Sequence, residues 1–223
     1  PSGHIQAVGT DVAARRQYLY HERWQQERAE EKFDRVLELS TRLPEWRAQV
    51  SKDLSARGLT RDRVLALALQ LLDRGYFRAG GEQSAEEFEH YGLATLLCEH
   101  VTLRKGAVAF EYPAKSGVQR SIEIEDPEVV RAVKALMRRN GGSDRLLVCR
   151  GGSDGAWVDV RADDLNARFK ELVGEEFTVK DLRTWHGTVL AAAAFASAKE
   201  PTSPTRIKKE TSAVMKEVSG ELG

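Results

Sequence analysis

The chain has 223 residues, 41% hydrophobic and 30% charged, with 34 Lys and Arg balanced by 34 Asp and Glu. That composition suits a globular domain able to bury a core and excludes a globally basic nucleic-acid binder. The most apolar run, 189–198, is shorter than the ~20 residues of a membrane span, and the opening Pro1-Ser2-Gly3-His4 has no signal-peptide pattern. With only Cys98 and Cys149, a disulfide framework gives way to a reducing cytosol, and no Cys/His cluster has zinc spacing. The expectation is a cytoplasmic protein with no metal site, no cofactor and no membrane partner.

Residues 4–9 and 17–21 read as two short strands, alternating at Ile5/Ala7 and Tyr18/Tyr20. An isolated two-stranded unit is marginal in water, so these strands are expected to close a larger N-terminal β domain. From Glu22 the pattern turns helical, and Leu43-Pro44 is expected to break it. A second helix then runs from 46 to about 56, and a strongly apolar third over 62–72, opened by Thr60 and closed by Gly75. The acidic stretch that follows is expected to be irregular. Segments 107–112 and 119–125 alternate around Pro113-Ala114-Lys115-Ser116-Gly117, a hairpin signal. Helices follow at about 127–139, opened by Asp126-Pro127, and at 162–173. Thr178-Val179-Lys180-Asp181 has the form of a capping box for a helix to about 198. A Pro-containing loop at 199–204 and a last helix over 205–219 complete an α+β, mostly α, chain with a small hairpin sheet.

Charge is unevenly spread. Residues 81–100 hold five acids and no Lys or Arg, whereas 101–150 hold ten basic and six acidic residues. A neutral total therefore accommodates one basic and one acidic face, against the plainer account of charges scattered over a solvated surface. The basic face is expected to carry Arg15, Arg16, Gln17, Tyr18 and Tyr20 with Arg104, Lys105 and Lys115, while Glu82 to Glu89 point elsewhere.

Four cations sit where the backbone would fix them: Arg78 just past the apolar helix, Lys115 at the hairpin tip, and Lys180 and Arg183 three apart near a helix start. His186 shares that helix face approximately. Each has a bland account, because an Arg after a helix serves the helix dipole and a Lys at a hairpin tip is solvated. A Lys/Arg pair in a first helical turn opposes the dipole and needs another reason. Together they suggest phosphate binding and no more.

The surrounding residues say more. Tyr76-Phe77-Arg78-Ala79-Gly80, then Tyr91-Gly92-Leu93-Ala94-Thr95-Leu96 and His100-Val101, resemble the type IB DNA topoisomerase segment around its first active-site arginine. Phe110 to Gly117 resembles the family's hairpin with the catalytic lysine, and Lys180-Asp181-Leu182-Arg183-Thr184-Trp185 its block with the second arginine. Gly3 to Ala7 and Arg16 to His21 look like the last strands of the DNA-clamping N-terminal domain. The motifs run in family order, in the style of the small bacterial and poxvirus enzymes.

The resemblance implies a tyrosine-recombinase/type IB topoisomerase catalytic fold over 25–223, with 1–24 as the end of the clamping domain and a linker. It implies Arg78, Lys115 and Arg183 as catalytic residues, with Lys180 and His186 auxiliary. It also implies double-stranded DNA as partner, a monomer that clamps it, and a nucleoid-associated location. The family's tyrosine attacks a phosphate to form a 3′-phosphotyrosyl bond, without ATP or metal. That tyrosine and a preceding His or Asn follow a leucine-glycine pair, which here is Leu222-Gly223, so both are expected beyond Gly223. None of Tyr18, Tyr20, Tyr76, Tyr91 or Tyr112 has the matching context. Two rivals are a tyrosine recombinase, whose block reads H-x-x-R where this chain has Lys180, and a DNA-binding fragment without catalysis.

Overall fold

The computed structural model describes residues 3–12, 14–151, 155–197 and 203–223. Strands β1 (Ile5–Thr10) and β2 (Arg16–Tyr20) form an antiparallel hairpin. Tyr20 stacks on Trp24, 4.4 Å between ring centroids, as the chain enters α1 (Glu22–Leu54). The hairpin and the first turns of α1 are largely exposed, and the core begins at Val36.

The break expected at Pro44 does not occur: α1 runs through it for 33 residues. The proline removes one helical hydrogen bond at a cost of about 3 kcal/mol. The buried stripe Val36, Leu39, Leu43, Trp46, Val50, Leu54 continues on both sides of it. Six such side chains contribute roughly 1.5–3 kcal/mol each, so packing outweighs the proline, which faces solvent.

That stripe packs on α2 (Arg61–Gly75), the central helix, whose residues 63–72 are all buried. A helix apolar all round belongs in a core, and α2 touches α1, α4, α5, α6 and the small sheets. Its one buried cation, Arg63, donates to the carbonyls of Leu54 (3.1 Å) and Gly58 (2.6 Å), closing the α1–α2 turn. Trp46 meets Phe169 edge-on at 5.4 Å to anchor α5.

The stretch expected to be irregular carries a short helix, α3 (Glu82–Phe88), and two 3₁₀ turns at Leu93–Thr95 and Cys98–His100. Strands β3 (Val101–Leu103), β4 (Val108–Pro113) and β5 (Gln119–Ile124) form an antiparallel sheet in the order β3-β4-β5. Helix α4 (Pro127–Met137) is capped by Asp126. A second hairpin, β6 (Val148–Gly151) with β7 (Ala156–Asp159), has no counterpart in the sequence reading. Its signal was the apolar run Leu146 to Cys149, too short to stand out from a helical segment. Helices α5 (Ala162–Val173), α6 (Val179–Ser197) and α7 (Pro204–Leu222) complete the mostly α architecture. Most of the loop expected at 199–204 lies outside the described residues.

Candidate active site

Arg78 is placed by a turn that α2 cannot take without strain. Tyr76, the C-cap, sits at φ 53°, ψ 30°, a left-handed conformation costly for a bulky residue. Arg183 supports it by donating from Nη1 to the Tyr76 carbonyl at 2.6 Å. Beyond the turn, residues 78–80 lie along 92–94. Leu93 N–H donates to the Arg78 carbonyl and Ala94 N–H to that of Ala79, both at 2.8 Å. A Cβ at Gly92 would stand 2.4 Å from the Gly80 Cα, so the glycine of the Tyr91-Gly92-Leu93 run permits the approach that buttresses Arg78.

Lys180 and Arg183 are presented by the first turn of α6. Asp181, buried, accepts from the Thr178 backbone N–H (2.9 Å) and hydroxyl (2.8 Å) and pairs with Arg35 of α1 at 3.2 Å. The acid turns inward to fix the helix start, leaving Lys180 and Arg183 facing outward. Both line a cavity of about 530 Å³ with Arg78, between α1, α6 and the end of α7.

In this cavity the arginines converge. Arg78 Nη2 donates to the Gly223 oxygen at 2.6 Å, and Arg183 Nη2 to the same oxygen at 2.8 Å and to Leu222 O at 2.9 Å. Burial first, and then the Arg78 and Arg120 charges, push the Arg183 pKa down to about 10. Tyr112 lies within the field of these cations. Burial drives its phenol up to about 12 against the lowering pull of Arg120, Arg183 and Arg78, so it stays protonated and is a poor nucleophile.

Lys115 opens a 3₁₀ turn, Lys115–Gly117, at the tip of the β4–β5 hairpin; Ser116 and Gly117 take left-handed φ values of 63° and 72°. Its exposed side chain lines a neighbouring cleft of about 270 Å³ with Arg78, Gly80, Gly81, Ser84, His90 and Gly92. Arg78 is common to both spaces. The acidic segment is thus close to the cations, since Gly81 and Ser84 border the cleft. Glu82 is bound by Arg145, whose hydrogen bond lowers its pKa.

His186 does not reach the cavity. Its Nε2 lies 2.9 Å from Oδ1 of Asp73, its ring leans on Tyr76 at 4.8 Å, and its Nδ1 is buried without a hydrogen-bond partner among the described residues. His186 therefore packs between α2 and α6. His100 is also structural, accepting at Nδ1 from the Leu97 N–H at 3.1 Å.

Of the expected DNA-contacting set, Arg16, Gln17 and Tyr18 are exposed on β2 and Tyr20 is half-buried. Arg15 and Gln17 are bound to Asp11 at 2.9 Å. Arg104 pairs with Glu123 and, at 3.7 Å, with Glu111, which offsets its charge, while Lys105 is exposed beside it.

The sequence reading missed Arg120. It faces Tyr112 across the β4–β5 pair, on the inward side of β5 with Ile122 and Ile124. It donates to the carbonyls of Gly220 (3.2 Å) and Glu221 (2.7 Å). The available signal was an arginine in phase with two isoleucines.

Comparisons with known proteins bear on the family. The family model for the eukaryotic DNA topoisomerase I catalytic core matches residues 21–223. DNA topoisomerase 1B of Acanthamoeba polyphaga mimivirus is 30% identical over the whole chain, which spans 67% of that relative. DNA topoisomerase 1 of Mycosarcoma maydis is 28% identical over 52% of this chain and 12% of its own length, and that of Daucus carota 28% over 71% and 19%. Among solved structures, the XerH site-specific recombinase bound to its difH substrate overlaps with a TM-score of 0.45 at 14% identity, over 77% of this chain and 52% of that one. On the family match and the mimivirus relative, the chain belongs to the type IB DNA topoisomerases.

Proposed function

We propose that this chain carries the catalytic core of an enzyme that relaxes supercoiled double-stranded DNA by cutting one strand transiently through a 3′-phosphotyrosyl bond and resealing it. The observation that carries this is the convergence of Arg78 and Arg183, 105 positions apart in sequence, on one oxygen atom. That oxygen is where a non-bridging phosphate oxygen would sit, and two guanidinium forks match it in charge and geometry.

The chemistry follows from that placement. A tyrosine oxygen, its phenolic proton passing to solvent, attacks the phosphorus while the bond to the 5′-oxygen breaks. Negative charge builds on the non-bridging oxygens, where Arg78 and Arg183 stabilise it. The departing 5′-oxygen takes a proton from Lys115, carried in by the hairpin tip, and religation returns that proton. Phosphodiester energy is kept in the phosphotyrosyl bond, so the cycle needs neither ATP nor metal. Burial holds Tyr112 protonated, which makes it a poor nucleophile, and the family resemblance assigns the nucleophile to none of the chain's five tyrosines. The exposed β1–β2 hairpin would join an N-terminal clamping domain, making the protein a monomeric DNA clamp.

The test is a suicide substrate whose 5′-fragment cannot religate. A protein extended through the segment after Gly223 and the N-terminal domain should form a phosphotyrosyl adduct, and the 223-residue chain should form none. An adduct on the short chain mapped to one of its five tyrosines would overturn this assignment.

A further inference from the structure

Arg120 is a charged residue on an inward-facing strand position, and its surroundings give it no acidic partner. Among the described residues, no Asp or Glu side chain forms an ion pair with Arg78, Arg120 or Arg183. Their guanidiniums hold the backbone oxygens of Gly220, Glu221, Leu222 and Gly223, a reach of roughly one helical turn, ~5 Å. Arg120 lies close enough to Gly223 that a Cβ there would meet its guanidinium at 2.7 Å. Cations do favour a helix C-terminus, and one of them satisfies that need. Three converging guanidiniums repel one another, which adds to burial in lowering the Arg183 pKa, and the α7 carbonyls offer them only partial charges. A phosphate offers a full negative charge and several acceptor oxygens.

We propose that Arg120 is a third guanidinium ligand of the DNA phosphate on which Arg78 and Arg183 act. This rests on the function proposed above and adds a residue to it. The strand pairing explains how the side chain is aimed. Tyr112 and Arg120 are directly opposed in β4–β5, one pair in from the turn, so the buried Tyr112 side chain stands beside Arg120 on the inner face of the sheet. The tip with Lys115 can then swing towards DNA while Arg120 stays with the other two arginines. When DNA binds, phosphate oxygens take the place of the α7 carbonyls.

The experiment uses the full-length protein and two duplexes with one mapped cleavage site. One carries the natural phosphodiester, the other a methylphosphonate that replaces a charged non-bridging oxygen of the scissile phosphate with methyl. On the phosphodiester, Arg120→Gln should slow single-turnover cleavage about 100-fold, the size of effect seen when one charge-stabilising donor is lost. On the methylphosphonate the same substitution should cost less than about 3-fold, because the oxygen it served is gone. Arg120→Lys, which keeps the charge without the fork, should recover part of the loss and serves as the second variant if the first fails to fold. An equal loss on both duplexes would assign Arg120 to capping α7 and overturn the proposal, as would a loss under about 3-fold on the phosphodiester. If the unmodified protein cuts neither duplex, the proposed activity fails, and equilibrium binding decides on Arg120 separately. Weaker binding of Arg120→Gln to the phosphodiester duplex alone supports the contact, and unchanged binding to both removes it.

Discussion

Replacing Asp73 with asparagine tests whether the cavity depends on the α2–α6 clamp behind it. The Asp73 carboxylate accepts from Arg47 at 2.8 and 2.9 Å and lies 2.9 Å from His186 Nε2, with its side chain only 10% exposed. An asparagine keeps one acceptor oxygen and turns an NH₂ group towards a guanidinium that can only donate. Breaking a buried charged pair costs about 3–5 kcal/mol, and since Arg47 is 46% exposed and can turn to water, the lower end, about 3 kcal/mol, applies. For a chain of this size that is a fall in Tm of roughly 6–12 °C. Burial raises the Asp73 pKa, but the His186 and Arg47 hydrogen bonds outweigh it and leave the pKa below the usual carboxylate value. A carboxylate depressed in the fold stabilises it above its unfolded pKa, near 4, and the benefit disappears as pH falls through the folded value. Calorimetry should therefore find the full Tm gap at pH 7 and a shrinking gap below about pH 4. A gap under about 2 °C at pH 7, or one constant down to pH 3, would refute the reasoning.

Three further outcomes are expected. With sulfur in place of the bridging 5′-oxygen the leaving group needs no proton, so Lys115→Ala should regain most of its lost cleavage rate while Arg183→Ala, which loses charge stabilisation, should not; equal recovery in single-turnover assays would end the general-acid assignment. Gly92→Ala places a Cβ 2.4 Å from the Gly80 Cα, so it should cost about 1–3 kcal/mol in denaturant titration and lower cleavage by displacing Arg78; unchanged stability would mean the two segments part easily. DNA affinity should fall steeply with salt, with a log–log slope of about −3 or steeper if at least Arg78, Lys180 and Arg183 neutralise phosphates, and a filter-binding slope shallower than about −1 would count against a phosphate-reading surface.

Much of the site was legible because its residues stand at local punctuation. Arg78 follows the end of an apolar helix, Lys115 sits in a Pro- and Gly-flanked turn, and Lys180 and Arg183 follow a capping signal, so local chemistry and the family's motifs agree on them. Residues whose meaning depends on contacts distant in sequence were harder. Arg120 reads as one more polar residue of an alternating strand until the register with Tyr112 and the docking of α7 are known. His186 shares a helix face with Arg183, and only the position of Asp73, 113 residues earlier, shows that it is spoken for. Pro44 is a local stop signal overruled by a buried stripe that spans it, where tertiary packing outweighs a single-residue preference.

The way Arg78 and Arg183 are held argues for a site prepared for charge before any ligand arrives. Arg183 stabilises the left-handed Tyr76 turn from which Arg78 emerges, so the two arginines are set by one piece of backbone and cannot drift apart independently. The Gly80–Gly92 approach fixes the other side of Arg78, and the buried Asp181 fixes the helix that carries Arg183. Each device costs the fold something: a positive φ at a bulky residue, a glycine in close contact, and a half-buried guanidinium beside two like charges. Stability alone would favour removing them, and a cluster of such concessions around one cavity is what function leaves in a fold. The lysine is treated in the opposite way, on an exposed hairpin tip. That division suits the proposed chemistry, in which phosphate charge is met by donors that need no rearrangement and the proton is delivered only when a 5′-oxygen is leaving.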